Sequence, residues 1–422
     1  MNLPCLILIL SFVLYPYVFL IARSSFLLQS QSLLETSRIL GKSQTQTFFR
    51  VILPLARPAI IGGVMLVIME VINDYGAVKY FGVDTFTTGI FRAWFSMGDT
   101  DAAIRLCGFL MFVALCLITL ERAQRGRAKF DNNAKTSRTL NKTVLTKKKA
   151  GAAFLICLTP VLLGFLIPAS QLLFWASQTA NNVLGREFFT LIANSFFLAV
   201  LASFLCVIVA IIIVYSVRLR QSLYTQAISK ISILGYSIPG AVIAVGVMIP
   251  FAWVDIGVDT FFRDHFGAST GLILSGTLVA VTFAYVVRFL ALAFNPIKSG
   301  FERLCGNMDE ASRSLGHSPL KSLLKVNIPI IKGALMAAAI LVFVDVLKEL
   351  PLTLIMRPFN FDTLATKTFE LASDEMVAES ATPALIIVAT GIVPIILMNR
   401  LLGKISNERT NRSKSFEDVL PC

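Results

Sequence analysis

Nine apolar runs, each long enough to cross a membrane, dominate this chain and leave it little choice of fold. They fall at about residues 3–22, 58–80, 102–120, 151–176, 191–217, 229–254, 271–294, 333–356 and 381–402. A hydrocarbon core of ~30 Å is crossed by about 20 helical residues. No water satisfies the backbone there, so a span must be a helix or part of a closed barrel. Barrel strands would read as alternating segments of about ten residues, and the sequence has none. The expected fold is an all-α integral membrane protein with about nine transmembrane helices. Composition agrees, with 56% hydrophobic and 15% charged residues, where soluble domains carry roughly 25% charged. A soluble enzyme is excluded.

The net charge of +13 would suggest a nucleic-acid partner if it were spread over one face. Instead, ten Lys/Arg against two acids crowd into residues 121–150, between two spans. Cytoplasmic loops have this character under the positive-inside rule. The segments 23–57 and 295–332 and the tail beyond Arg400 are also rich in Lys/Arg. The intervening segments 73–101, 177–190, 255–270 and 358–380 together hold thirteen acids and five bases. The long basic loops and the C-terminus are therefore expected in the cytoplasm and Met1 outside, with no nucleic acid bound. Seven cysteines without a C-x-x-C, most of them in apolar runs, read as buried free thiols. Two histidines argue against a haem or multi-histidine metal centre, and no cofactor is expected.

An internal repeat organises the spans. Glu35-Thr-Ser-Arg-Ile-Leu-Gly41, followed by Pro54, matches Glu310-Ala-Ser-Arg-Ser-Leu-Gly316, followed by Pro329, at a constant offset of 275. Asp84-Thr-Phe-Thr-Thr88 matches Asp362-Thr-Leu-Ala-Thr366 at 278. The expected organisation is an incomplete first half over 1–120 with its loop at 33–54, then a basic linker over 121–150. A second half over 151–402 carries its loop at 308–329, and a cytoplasmic tail covers 403–422. The second half has three helices before its matching block and the first has none. About three helices upstream of Met1 are thus expected to be missing from a full twofold design, and an inactive truncated remnant is one reading of that.

Within the first loop, Leu33, Ser37 and Leu40 fall at i, i+4 and i+7, which predicts a short amphipathic helix ending at Gly41. Gly41 and Gly316 can both take positive φ and turn the chain sharply. A second short helical stretch follows, and Pro54 or Pro329 opens the next span, where a missing N–H costs little. A helix–glycine–helix elbow on the membrane surface, present twice, is a shape for docking a partner.

This loop resembles the Glu-Ala-Ala loop of bacterial ABC importer permeases, with Thr36-Ser37 and Ala311-Ser312 in place of the two alanines. The resemblance implies that Glu35, Gly41, Pro54, Glu310, Gly316 and Pro329 couple the membrane domain to ATPase subunits. Longer stretches, among them Asn73-Asp-Tyr-Gly-Ala-Val-Lys-Tyr-Phe-Gly82 and Val344-Asp-Val-Leu-Lys-Glu-Leu-Pro351, are similar to the fused permeases of ferric-iron importers. That similarity implies two repeated permease halves in the bacterial inner membrane. It also implies two ATP-binding cassette ATPases and a periplasmic iron-binding protein as partners. ATP hydrolysis would belong to the separate ATPase. The same mechanism with thiamine, a polyamine, a phosphonate or another small solute is the nearest alternative. An ion-coupled secondary transporter, whose halves also repeat, does not need paired loops of this kind.

Other signals are weaker. Gly41-Lys42-Ser43 mimics the end of a phosphate-binding loop, but Thr36 stands where that pattern needs glycine. No catalytic constellation is visible, so no enzyme activity is expected. Arg288 and Tyr285 either line a pathway or sit at a helix end where Arg288 snorkels. Gly62-Gly63 and Gly235 are read as sites of close helix packing. Glu70 and Asp74, with Asp345 and Glu349 at the 275 offset, form i, i+4 pairs. On one helix each pair shares a face and must point into the bundle or a wet cavity, because carboxylates facing lipid are costly. Pairing with Lys79 or Lys348 is the structural reading. The functional reading is that the four line the solute path and favour a hard cation such as ferric iron.

Overall fold

The computed structural model describes residues 3–27, 29, 31–125, 145–220, 222–304, 307–394 and 396. Most of the basic linker and all of the 403–422 tail lie outside these residues. Among the described residues every regular element is helical, and nine helices are long and apolar enough to cross a membrane.

The chain forms two compact units, Met1–Gln171 and Leu172–Cys422. The first holds α1 (Leu3–Leu27), α2 (Gln31–Ile39) and α3 (Gln44–Thr47), which runs through a π turn into α4 (Leu53–Asn73). The short α5 (Gly76–Tyr80) and α6 (Phe86–Phe91) lead to the spanning α7 (Thr100–Arg125). Helix α8 (Lys147–Val161) and the π turn after it complete this unit, with Gly164 against the backbone of Phe12. This unit reaches past the boundary at 150 expected from the sequence and takes in residues 151–171. The structure gathers them with α1 because a residue without a side chain at 164 lets the two backbones meet.

The second unit contains α9 (Ile167–Val183, its first turn shared with the first unit), α10 (Arg186–Leu219), the short α11 (Leu223–Ser232), α12 (Gly240–Phe266) and α13 (Leu278–Glu302). It continues through α14 (Asn307–Ser314), α15 (Pro319–Ser322), α16 (Ile328–Leu347), α17 (Pro351–Met356), α18 (Leu364–Ser373) and α19 (Val377–Pro394). Helices α10, α13 and α16 pack against one another. Helix α13 is central, with 61% of its most apolar stretch buried, because Ala280, Ala284, Ala291 and Ala293 let neighbours approach. None of the corresponding stretch of Lys147–Asn181 is buried, so its leucines and phenylalanines are left for lipid. Cys107 and Cys206 are buried as expected, whereas Cys5, Cys116 and Cys157 lie on exposed helix surfaces.

Several expected boundaries move. The run 229–254 divides into the surface helix α11, a 3-10 turn at Leu234–Ser237 and a span starting at Gly240. The next span starts at Leu278 rather than 271, and Asp255 and Asp259 belong to α12 rather than to a loop. There they accept the backbone N–H groups of Ile273, Leu274 and Ser275, and of Thr270 and Gly271, which closes the loop. The runs 58–80 and 333–356 each break near their ends. Helix α4 stops at Asn73 and α16 at Leu347, and the remainders form α5 and α17.

Those breaks explain the buried charge. Glu349 lies just past α16, where its Oε1 accepts the N–H of Leu352 at 3.1 Å and caps α17. It also accepts a 2.8 Å bond from Nη1 of Arg288 on α13, and the two residues are only 5% and 7% exposed. Arg288 therefore neither snorkels nor stands open to a pathway. The Tyr285 hydroxyl bonds Thr353 Oγ1 at 2.6 Å, and Thr353 in turn donates to the Glu349 carbonyl at 2.7 Å. Gly240 at the start of α12 makes room, since a β-carbon there would fall 1.7 Å from Arg288 Nη1. Breaking a buried pair strands the surviving charge and costs about 3–5 kcal/mol, while replacing both members by apolar groups is close to neutral. Arg288→Met should therefore lower the thermal midpoint of the purified protein sharply, and Arg288→Met with Glu349→Met should recover most of the loss. A double variant as unstable as the single one would mean that the pair does more than neutralise itself.

Candidate functional site: two matched elbows

The loop between α2 and α3 and the loop between α14 and α15 fold alike, residue for residue at the 275 offset. Gly41 has φ +76° and Gly316 φ +81°, the left-handed conformation that glycine takes at least cost. The N–H of Gly41 donates to the Arg38 carbonyl and that of Lys42 to the Ser37 carbonyl. Gly316 and His317 donate in the same way to Arg313 and Ser312. Each is a Schellman close, satisfying carbonyls the helix end leaves over. The next helix begins at once, with Ser43 and Ser318 accepting the N–H of Gln46 and Lys321. Ser43, which gave the sequence its resemblance to a phosphate loop, is thus a helix cap.

A hydroxyl clasp holds each elbow closed, and the sequence reading missed it. Ser37 Oγ and Thr47 Oγ1 share a 2.8 Å hydrogen bond, and Ser312 Oγ and Ser322 Oγ share one of 2.5 Å. All four residues are buried. Their recurrence at 37/312 and 47/322 could have been seen from the repeat, but pairing across the elbow needed the fold. Leu40, expected on the inner apolar face with Leu33, is 72% exposed, and its counterpart Leu315 is 79% exposed. The reason is the turn itself, which puts the residue before each glycine at the tip. Glu35 and Glu310 are exposed on the same short helices, and Glu35 accepts a 3.2 Å bond from Gln31. Pro54 and Pro329 stand at the openings of α4 and α16, where a missing N–H costs little. They sit one residue into α4 and α16, just after π turns at Phe48–Ile52 and Leu323–Asn327.

Anchoring distinguishes the two elbows. Arg218, at the end of α10, gives Asp309 of the second elbow a 2.5 Å ion pair and donates to the Phe301 carbonyl at 2.7 Å. Asn327, fully buried, donates to the other Asp309 oxygen at 3.0 Å, and the Tyr215 hydroxyl donates to the Pro319 carbonyl at 2.7 Å. Burial alone would raise the Asp309 carboxyl, but the bonds from Arg218 and Asn327 and the Arg218 charge hold it below the usual carboxylate range. The first elbow has Leu34 and Ile52 at the corresponding positions, and there Gln29 donates to the Ile52 carbonyl at 3.1 Å.

The four acids are not deployed as facing pairs. Asp74 lies beyond the last turn of α4 and accepts the N–H groups of Ala77 and Val78 at 3.0 and 3.2 Å, capping α5 as Glu349 caps α17. Glu70 remains half-buried in the last turn of α4. Asp345 occupies the same place in α16 and holds Lys348, 44% exposed, at 3.0 Å. The segments that follow also match: Thr85–Thr88 and Thr363–Thr366 form identical capping boxes at the starts of α6 and α18. Asp362 beside the second box pairs with Arg357, which reaches Glu370 at 2.6 Å as well.

Spanning helices with a matched elbow in each of two repeats make this an integral membrane protein of repeated design. The chain belongs to the family described as the binding-protein-dependent transport system inner membrane component, which matches residues 1–120 and 218–409. It is thus a permease component of the inner membrane rather than an enzyme. Among its relatives is the Fe(3+)-transport system permease protein FbpB 2 of Haemophilus influenzae, 26% identical over 89% of this chain and 72% of that protein. The ferric transport system permease protein FbpB of Actinobacillus pleuropneumoniae is 23% identical over 74% of this chain but only 46% of its own length. The putative 2-aminoethylphosphonate permease PhnV of Salmonella typhimurium is 25% identical over 38% and 58%. In fold, the chain is similar to a chain of a bacterial alginate ABC transporter in complex with its periplasmic protein. That likeness has TM-score 0.50 and 12% identity, and covers 61% of this chain and 95% of that one.

Arg218 holds the second elbow through Asp309, where the first elbow has Leu34. Arg218→Gln should therefore speed amide hydrogen exchange across residues 309–322 by about tenfold, the scale of one charge-assisted hydrogen bond. Exchange at 37–47 should stay as it was. Equal acceleration in both elbows, or in neither, would contradict this anchoring.

Proposed function

We propose that this chain is the membrane permease of an ATP-driven importer for ferric iron. The single observation that carries the mechanism is the pair of matched elbows, each presenting an exposed leucine and glutamate on a short helix held rigid by a glycine turn and a hydroxyl clasp. Such an element transmits a push from a docked subunit instead of absorbing it. Each elbow would receive one ATP-binding cassette ATPase, through Glu35 and Glu310 and the turns at Gly41 and Gly316. Pro54 and Pro329 would carry the motion into α4 and α16. The elbows and the basic linker 121–150 would then face the cytoplasm, with Met1 on the periplasmic side, in accord with the Lys/Arg asymmetry of the loops. A periplasmic binding protein would deliver the solute from the other side of the membrane.

Iron is favoured by the two ferric relatives, one of which matches along most of this chain. The residues agree with a hard cation. Glu349 is neutralised by Arg288 and Asp74 is engaged as a cap, so the path-lining role falls mainly on Glu70 and Asp345. Asp345 is held by a half-exposed lysine that can release it at small cost. Oxygen ligands of this kind suit a hard ion and let it leave. The match to a 2-aminoethylphosphonate permease gives a second reading, the same mechanism with an anionic organic solute.

The two readings separate on charge. Glu70→Gln with Asp345→Asn, at equal expression and with ATPase co-purification unchanged, should lower ferric-iron uptake by cells about tenfold or more, the cost of roughly one charged contact. Uptake equal to the parent would remove the acids from the path. Uptake of 2-aminoethylphosphonate by the parent and undiminished in the double variant, with no iron uptake, would establish the second reading.

A further inference from the structure

A cavity of about 480 Å³ lies in the second unit between the ends of α10 and α13, beneath α11. Arg218, Lys230 and Lys298 line it, with Phe294, Phe301 and Glu302 among the remaining walls. Neither the elbows' docking role nor the solute path uses it.

Helix α11 is built inside out for a helix lying on a protein. Leu223, Tyr224, Ile228 and Ile231 fall on one face and are all exposed, the first two at 85% and 83%. Gln226, Ser229 and Lys230 fall on the opposite face and line the cavity. An exposed apolar face with a polar face behind it is the pattern of a helix lying in a membrane interface. The polar face of α11 then closes over a space into which Arg218, Lys230 and Lys298 bring positive charge. Arg218 supplies further demand. Its Nη2 is buried and has no hydrogen-bond acceptor among the described residues, although its other nitrogens serve Asp309 and Phe301. Glu302 offsets part of the charge, but its contact with Lys298 is long, 3.9 Å, and exposed on both sides. Such a contact yields readily to a better partner.

We propose that this cavity binds the phosphate headgroup of an anionic phospholipid. Lys230 and Lys298 would hold the phosphate, and its acyl chains would run over the apolar face of α11. A soluble anion would satisfy the same cations, but it gives no account of the exposed leucine, tyrosine and isoleucines beside them. The lipid has both chemistries in one molecule, and basic pockets between helices at the membrane surface select such headgroups. Because Arg218 both lines this cavity and anchors Asp309, an occupied site would sit one side chain away from the second elbow. The inference is independent of which solute is carried and of which subunit docks.

The test is lipid retention by the full chain purified in detergent, read by native mass spectrometry. Dioleoyl phosphatidylglycerol and dioleoyl phosphatidylcholine would be offered in equal amounts, with and without inorganic phosphate. The parent should retain phosphatidylglycerol about tenfold over phosphatidylcholine, in keeping with two lysines at a membrane surface. Lys230→Gln with Lys298→Gln should bring the ratio close to one, and Glu302→Gln should raise it. Both lysines are exposed and hold no part of the elbow, so the double variant is expected to fold; a thermal midpoint equal to the parent's checks this. Equal retention of the two lipids by the parent, or an unchanged ratio in the folded lysine variant, would overturn the proposal. Displacement of the lipid by equimolar inorganic phosphate would also overturn it, by assigning the site to a soluble anion.

Discussion

Hydrocarbon offers no hydrogen bonds, and the architecture of this chain follows from where its helices are nevertheless allowed to stop. Each break exposes N–H and carbonyl groups that must be satisfied from within the protein. At one end of each repeat the answer is a glycine turn that closes the outgoing helix and a serine that caps the incoming one. At the other end, Asp74 or Glu349 caps the short helix after the span, and a threonine box caps the next. The same solutions recur at offsets of 275 and 278, so both repeats are shaped by the same few polar residues. The apolar remainder of each span only has to be long enough.

Matching backbones do not make the halves equivalent. The second elbow is tied to α10 by the Arg218–Asp309 pair and to the following π turn by Asn327, while the first has leucine and isoleucine at the corresponding places. The second repeat also carries the Arg288–Glu349 pair across α13 and the α16–α17 break, where the first has Asp74 at the position of Glu349. An ion pair of this kind holds a particular packing in place more than it adds stability. The second half therefore has features of a fixed frame, with a cavity for a charged headgroup beside its elbow, whereas beside the first elbow it is Gln29 that reaches the Ile52 carbonyl.

Much of this could be read from the residues. Apolar length gave the number of spans, loop charge suggested a topology, and the glycines at constant offset located both elbows. What could not be read was set by contacts distant in sequence. The expected start at 229 differs from the span's start at Gly240 because Ile231, Ile233 and Leu234 continue the apolar pattern across the end of α11 and the 3-10 turn. The acid pairs were placed on single helical faces because periodicity does not show that α4 and α16 end at Asn73 and Leu347. Leu40 looked like a core position because its spacing from Leu33 and Ser37 is helical, and only the turn at Gly41 puts it at the tip. The clasps between Ser37 and Thr47 and between Ser312 and Ser322 join residues ten apart across a bend, which no single period reveals.

The central claim is that the two elbows are the points at which ATPase subunits take hold. Its most direct test is site-specific photo-crosslinking in membranes, with a benzophenone side chain placed at Leu40 or at Leu315, the exposed tips of the two turns. Crosslinking of an ATPase subunit from both positions, but not from an exposed lipid-facing control such as Phe154, is the result this account predicts. A complex that assembles and transports while neither tip reaches an ATPase would contradict it.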